Sequence, residues 1–214
     1  MKHIIKQAEP ESFENWKEKP NVDFVKLGKK RKVKKQLRTS LMVEQGYICC
    51  YCERALIEGD CHIEHFRPKD QNKFPELQLE YSNLICSCQA NLEKGAPRHC
   101  GNSKENWFDE NLLISPLDSN CEQRFKFNEI GQILPFDEND QGAKITIEKL
   151  NLDIDKIKDL RRKVIEPFLN YDDDGNEVMT KEELSKFIAG YLKEKEDNDG
   201  KYNEFYTTIK YLFA

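Results

Sequence analysis

The sequence predicts an α+β chain: a small strand-and-knuckle core, with helices before it and mainly helices after it. Three observations predict this. Between two cysteine-bearing segments, Cys61–Phe66 alternates and is β-branched, as a short strand does. Phe125-Lys-Phe-Asn-Glu-Ile-Gly-Gln-Ile-Leu alternates around Gly131, the pattern of a hairpin. Beyond it, apolar residues recur at helical spacing almost to the last residue.

In chain order, Pro10, Pro20 and Gly28 punctuate a polar N-terminal arm anchored by Phe13, Trp16, Phe24 and Leu27. Val33, Leu37 and Leu41 then mark a basic amphipathic helix up to about Gln45, with Gly46 as its C-terminal stop. Tyr47–Cys52 forms a knuckle. Pro68 ends the strand, Asp70 to Leu79 reads as a polar loop, and a short helix starts near Asn102. Ile154, Ile157, Leu160, Val164 and Ile165 mark a helix ending near Pro167. Thr180 and Glu183 make a capping box for the next, which carries Leu184, Phe187, Ile188, Tyr191 and Leu192. Phe205, Ile209 and Leu212 mark the last one. Asn170-x-Asp172-x-Asp174-Gly175 imitates the start of a calcium loop, but its twelfth position is Lys181 where a bidentate Glu is needed, so it reads as a hairpin turn.

Composition narrows the function classes. No apolar segment is long enough to span a bilayer and the polar start lacks a signal-peptide core, which predicts a cytoplasmic protein. In a reducing compartment, eight cysteines in paired spacing favour a metal over disulfides. The net charge of −5 does not advertise a nucleic-acid binder, yet Lys26 to Arg38 holds eight cations and no acid, while acids gather at Asp172–Asp174 and Glu194–Asp199. That asymmetry predicts a polyanion near one end of the molecule.

Two kinds of donor share the central stretch. Cys49 and Cys52 have the gap that lets two thiolates reach one tetrahedral ion, and a second pair would complete a four-cysteine zinc site. Cys86, Cys88 and Cys100 compete for those two places. Glu64-His65 offers a carboxylate for a hard divalent ion beside an imidazole able to take a proton. Alone, such a pair reads as two ordinary polar residues of a strand.

Together these pieces resemble the HNH endonucleases, whose ββα-metal core is often stitched by four cysteines around zinc. The family pattern runs C-x-x-C, acid-His with a nearby proline, Asn-Leu, then two further cysteines with a Lys beyond. Here it falls on Cys49 and Cys52, Glu64-His65 with Pro68, Asn83-Leu84, Cys88 and Cys100, and Lys104. In that family the third cysteine stands five residues after the Asn and the Lys four after the last cysteine, which selects Cys88 and Cys100 and leaves Cys86 spare. Nine extra residues between Cys88 and Cys100 are then an insertion.

Met1-Lys-His-Ile-Ile-Lys6, Glu44-Gln45, Cys49-x-Tyr51-Cys52-Glu53, His62-Ile-Glu-His-Phe-Arg-Pro-Lys69 and His99-Cys-Gly101 are similar to the HNH subunit of Septu-type and retron-associated anti-phage systems. The likeness is most specific from residue 44 to residue 104. It implies a metal-dependent nuclease acting on DNA, paired with an ATPase of the ABC/SMC type. It also implies residues 1–45 as arm and basic helix, 46–120 as nuclease core, and 121–214 as hairpin plus helical partner-docking region. Structural zinc and catalytic magnesium or manganese are the expected cofactors. His65 is the implied general base, Glu64 the ligand of the divalent ion, and Asn83 the residue that orients the histidine through its loop. Arg67, Lys69 and Lys104 are the expected phosphate contacts, with the Lys26–Arg38 run behind them. Many relatives carry a second metal-binding side chain directly after the last cysteine, where this chain has Gly101. His99 is expected to replace it, then His62, then Asn102. Two other readings stand beside this one: the same nuclease acting on RNA such as tRNA, and a non-catalytic zinc-stapled binding module.

Overall fold

A computed structural model describes residues 1–70, 74–172 and 174–214. Residues 71–73, inside the expected polar loop, and Asp173, inside the calcium-like turn, lie outside the described residues.

The N-terminal third is helical: α1 (Glu11–Lys17), α2 (Phe24–Gly28) and the basic α3 (Arg31–Glu44). Phe13, Trp16, Leu27, Leu37 and Leu41 turn inward, so the polar arm is held down by its few apolar anchors. Gly46, at φ +60, follows the end of α3. Only glycine fits there, because a Cβ would sit 2.4 Å from the Tyr202 ring. Gln45 ties the helix to the core. Its amide nitrogen donates to the carbonyls of Ile48 and Cys86 at 2.9 Å each, and its oxygen accepts from the Cys86 N–H. Glu44 holds Lys6 and accepts from the Tyr81 hydroxyl at 3.0 Å.

The centre is a two-stranded antiparallel ribbon of β1 (Cys61–His65) and β2 (Leu84–Cys88), followed by the one-turn α4 (Gly101–Lys104). The register pairs Cys61 with Cys88 and His65 with Leu84, so Glu64 faces Ile85. This is a strand–strand–helix unit in the expected order. Within the expected loop, Pro75–Leu79 instead forms a 3₁₀ turn, where proline at its start preorganises the backbone.

The second half adds the hairpin β3 (Phe125–Phe127) and β4 (Ile133–Pro135), then α5 (Gln141–Lys149), α6 (Asp155–Leu169), α7 (Lys181–Tyr191) and α8 (Tyr206–Phe213). As expected, Pro167 stands near the end of α6. It sits in the last turn, and the left-handed Asn170 terminates the helix. Thr180 and Glu183 form the expected capping box. In the calcium-like turn the Asp172 carboxylate accepts from the N–H groups of Asp174 and Asn176, which spends it on its own backbone.

One buried cluster runs from Met1 to Leu152, so the N-terminal helices, the ribbon and the hairpin share a core. The helices after it were expected to serve a partner, but α8 is packed into the fold: its Ile209 shares a second buried cluster with Ile165 and Phe168 of α6, and its Leu212 touches both clusters. Tyr206, Thr207, Thr208 and Ile209 are buried, and Glu53, next to Cys52, accepts from the Thr207 N–H at 2.8 Å and pairs with the Met1 ammonium at 2.6 Å. α7 buries no residue fully, and Phe187 on it is 40% exposed. Among the described residues no helix is long and apolar enough to cross a membrane.

Candidate metal and catalytic centre

Two adjoining sites are built on the ribbon. In the first, the sulfurs of Cys49, Cys52, Cys88 and Cys100 lie within 4.8 Å of one another, all buried. The knuckle supplies two, the end of β2 the third, and the turn into α4 the fourth. Four thiolates at about 2.3 Å from a tetrahedral ion are about 3.8 Å apart, and Cys52 and Cys88 stand at 3.8 Å. A soft, buried donor set of this size fits a tetrahedral ion. Burial opposes a Cys49 thiolate, yet hydrogen bonds from Cys100, Cys50, Cys52 and Cys88 hold its pKa well below the ordinary thiol value. Cys86 lies outside the group.

The second site is a cleft of about 420 Å³ lined by His62, Glu64, His65, Lys69, Arg98 and Gly101, among others. His62 and Glu64 project from the same face of β1, being two residues apart. The two oxygens of Glu64 have different duties. Oε1 is 2.9 Å from Lys104 Nζ and 3.5 Å from the Tyr51 hydroxyl, while Oε2 stands 3.7 Å from His62 Nε2. Burial works against the carboxylate, but His62 and the Lys104 ammonium outweigh it and hold its pKa below the usual range.

Gly101 explains that pairing. A Cβ there would fall 2.6 Å from Glu64 Oε2 and 2.9 Å from His62 Nε2, so both donor atoms press against the backbone of α4. His62 thus comes close to where a side chain at position 101 would begin. Two donors that each reach one ion at about 2.0–2.2 Å can be no more than about 4.4 Å apart. The 3.7 Å separation of His62 and Glu64 meets that limit.

His65 is buried, with Nε2 3.0 Å from the Gln78 carbonyl and its ring edge-on to Phe24, centroids 4.4 Å apart. A carbonyl only accepts, so Nε2 carries the proton and Nδ1 keeps its lone pair. Burial pushes the imidazole down to about 4, against the raising effect of the Gln78 carbonyl. Asn83 does not touch the ring. Its oxygen accepts from the Arg67 N–H at 2.8 Å, and its amide donates to the carbonyls of Arg67 and Leu77 at 2.9 and 3.1 Å, stapling the loop that follows His65.

Several expected roles are corrected by these positions. His99 is not beside Glu64. It is fully buried among the cysteines, with Nδ1 3.1 Å from Cys100 Sγ and 3.8 Å from Cys88 Sγ, because Cys100 turns the chain inward and carries its neighbour along. Asn102 does line the cleft, its amide nitrogen donating to the Gln89 carbonyl at 2.6 Å. Lys104 is 1% exposed and closed between Glu64 and the His65 carbonyl, out of reach of a substrate phosphate. Arg67 faces a separate groove, where it pairs with Glu110 at 2.7 Å and lies over Phe108. Lys69 does line the same cleft as Glu64 and lies over Phe24, as Lys34 of α3 does from farther away, 4.6 against 6.0 Å. Gln78 and Arg98 carry no signal in the sequence, and Tyr51 and Phe24 read there only as part of the family pattern and as an apolar anchor. Tyr51 sits inside the knuckle, and Gln78 acts through a carbonyl that sequence cannot advertise.

No family model matches the chain. Three curated relatives do. It is 32% identical over 139 residues to a Vibrio cholerae protein named "Retron Vc95 putative HNH endonuclease", covering 63% of this chain and 65% of that one. It is 27% identical over 210 residues to the Retron Ec83 protein of the same description from Escherichia coli, covering 79% and 81%. It is 31% identical over 98 residues to Septu protein PtuB of Bacillus thuringiensis, covering 44% and 37%. The matches thus span less than two thirds of the Vibrio and Bacillus proteins. By sequence the chain is thus similar to two retron proteins described as putative HNH endonucleases and to a Septu protein, and its fold sets an acid–histidine strand pair beside a four-cysteine cluster.

Proposed function

We propose that the chain is an HNH nuclease that hydrolyses phosphodiester bonds of DNA, as the effector of a two-protein anti-phage defence complex. The observation that carries this is the meeting of Glu64, His62 and His65 in one open cleft, with His65 Nε2 fixed by Gln78 and Nδ1 left as an acceptor. His65 takes a proton from a water at Nδ1 as that water's oxygen attacks phosphorus. The P–O bond on the opposite side breaks, and the departing oxygen is protonated from solvent. A divalent ion such as magnesium or manganese, held by Glu64 Oε2 and His62, would supply charge stabilisation for the phosphoryl group. Tyr51 and Lys104 keep Glu64 oriented by occupying its other oxygen. Asn83 holds the loop that positions His65 and Lys69. Zinc on Cys49, Cys52, Cys88 and Cys100 would pin the knuckle, the end of β2 and the start of α4 together.

The basic end of α3 supports a polyanionic substrate. Lys30, Arg31, Lys32 and Lys34 crowd the N-terminal turn with no acid there and no side-chain cap, where the helix dipole disfavours cations. Such cations contact phosphates without reading sequence. The second subunit, by the family resemblance, is an ATPase of the ABC/SMC type. Eight buried, unbridged thiols suit a reducing cytoplasm.

The test is incubation of the chain, alone and with its ATPase neighbour, with plasmid DNA and with total tRNA, with and without magnesium or manganese. Metal-dependent DNA cleavage that is lost in His65→Ala is expected, at a cost of about 10²–10⁴-fold. Cleavage of tRNA alone would move the substrate to RNA. Cleavage of neither would leave a zinc-stapled binding module.

A further inference from the structure

Removing Lys104 and Arg67 from the phosphate contacts leaves the catalytic cleft short of cations. Among the described residues that line it, Lys69 and Arg98 are the lysine and the arginine. Lys69 belongs to the loop after β1. Arg98 belongs to the insertion between Cys88 and Cys100, together with Gln89, Ala90 and Leu92 of the same lining.

That insertion is a fastened wall. Asn91 donates to the Gly59 carbonyl at 2.8 Å, and its N–H donates to Asp60 Oδ1 at 2.9 Å. Gln89 closes the base, donating to the Pro97 carbonyl and accepting from the His99 N–H, both at 3.1 Å. Asn151 donates to the Arg98 carbonyl at 2.9 Å, so the backbone of Arg98 is fixed from outside the insertion as well.

The side chain of Arg98 is free to change partner. It pairs with Glu105 at 2.6 Å, with the two side chains 60% and 66% exposed, so water screens the pair and it holds weakly. Glu105 caps α4 with φ +50 and ψ −122, a backbone state that side chains with a Cβ rarely adopt. The chain thus keeps a strained residue at the cleft lining, paired to the wall's arginine.

We infer that Arg98 is a phosphate-binding residue of the cleft, held by Glu105 until the nucleic-acid backbone displaces that carboxylate, so that the strand is clamped between Arg98 and Lys69. This rests on the nuclease reading above and names which cations position its substrate. A planar guanidinium can take two phosphate oxygens at once, which a lysine cannot match in geometry.

The test is binding of a fluorescein-labelled oligonucleotide, DNA and RNA in turn, by anisotropy over a range of salt. The full chain carries His65→Ala so that nothing is cut. Arg98→Ala is expected to weaken binding about 3- to 10-fold and to flatten the dependence of log affinity on log salt by close to one phosphate contact, about 0.7–0.9. Arg98→Lys should keep most of the salt slope with weaker binding, and Glu105→Gln should tighten binding by freeing the arginine. Arg162→Ala on α6 is the control: it makes the same charge change at another exposed ion pair and should leave the slope alone. Equal effects of Arg98→Ala and Arg162→Ala would overturn the inference while leaving the nuclease reading intact. A chain that binds neither DNA nor RNA would overturn both.

Discussion

At the scale of the residue, Gly101 decides how the side chains of Glu64 and His62 are arranged. The absence of a side chain there makes room. It lets Glu64 Oε2 and His62 Nε2 lie against α4. Gly101→Ala should therefore push both donors away and abolish metal-dependent cleavage, while zinc content stays at the wild-type value. A Gly101→Ala protein that cuts normally would show that the packing of those donors is immaterial. His62 and His99 separate the two sites. His62→Ala should raise the magnesium or manganese needed for cleavage. His99→Ala removes the imidazole nitrogen that stands 3.1 Å from Cys100 Sγ and should speed the loss of zinc to a chromogenic chelator, with the divalent requirement unchanged. The reverse pattern would return the catalytic role to His99.

At the scale of the element, the short helices depend on caps more than on length. α7 has no fully buried residue and begins with the reciprocal Thr180–Glu183 box. Thr180→Ala should cost about 1 kcal/mol, seen as a lower denaturant midpoint of the C-terminal helices, with no change at the cleft. The capping box was legible in the sequence because it is a local pattern of hydrogen bonds. So was α3 with its glycine stop, and so was the hairpin around Gly131. The end of α6 near Pro167 was legible too, though not its last residue. Pro167 can sit in a last turn whose remaining bonds are made, and only the left-handed Asn170 shows where the helix stops. α5 leaves little trace in the sequence, because its buried positions are Gly142, Ala143 and Thr146, which carry little hydrophobic signal.

At the scale of the whole molecule, the zinc-type site, the N-terminus and the last helix are one structural unit. Glu53 follows Cys52, pairs with the Met1 ammonium and accepts from Thr207 of α8, all in the interior. Deleting residues from Gly200 onward should strand the Glu53 carboxylate with fewer partners and expose the knuckle. Zinc retention and thermal stability should fall together. Unchanged zinc content after that deletion would make α8 an appendage after all.

The sequence by itself determined the parts whose physics is local: the thiolate pair of the knuckle, the acid–histidine strand, the glycine stop and the capping box. Through family resemblance it also pointed to Cys88 and Cys100, which the fold brings to Cys49 and Cys52. Only the tertiary structure decided which way His99 turns, that Lys104 is buried against Glu64, and that Arg98 reaches the cleft. These depend on how an insertion and a one-turn helix pack on the ribbon. A side chain's partner is set by the surfaces folding brings to it, and neighbours in sequence such as His99, Cys100 and Gly101 can serve different sites.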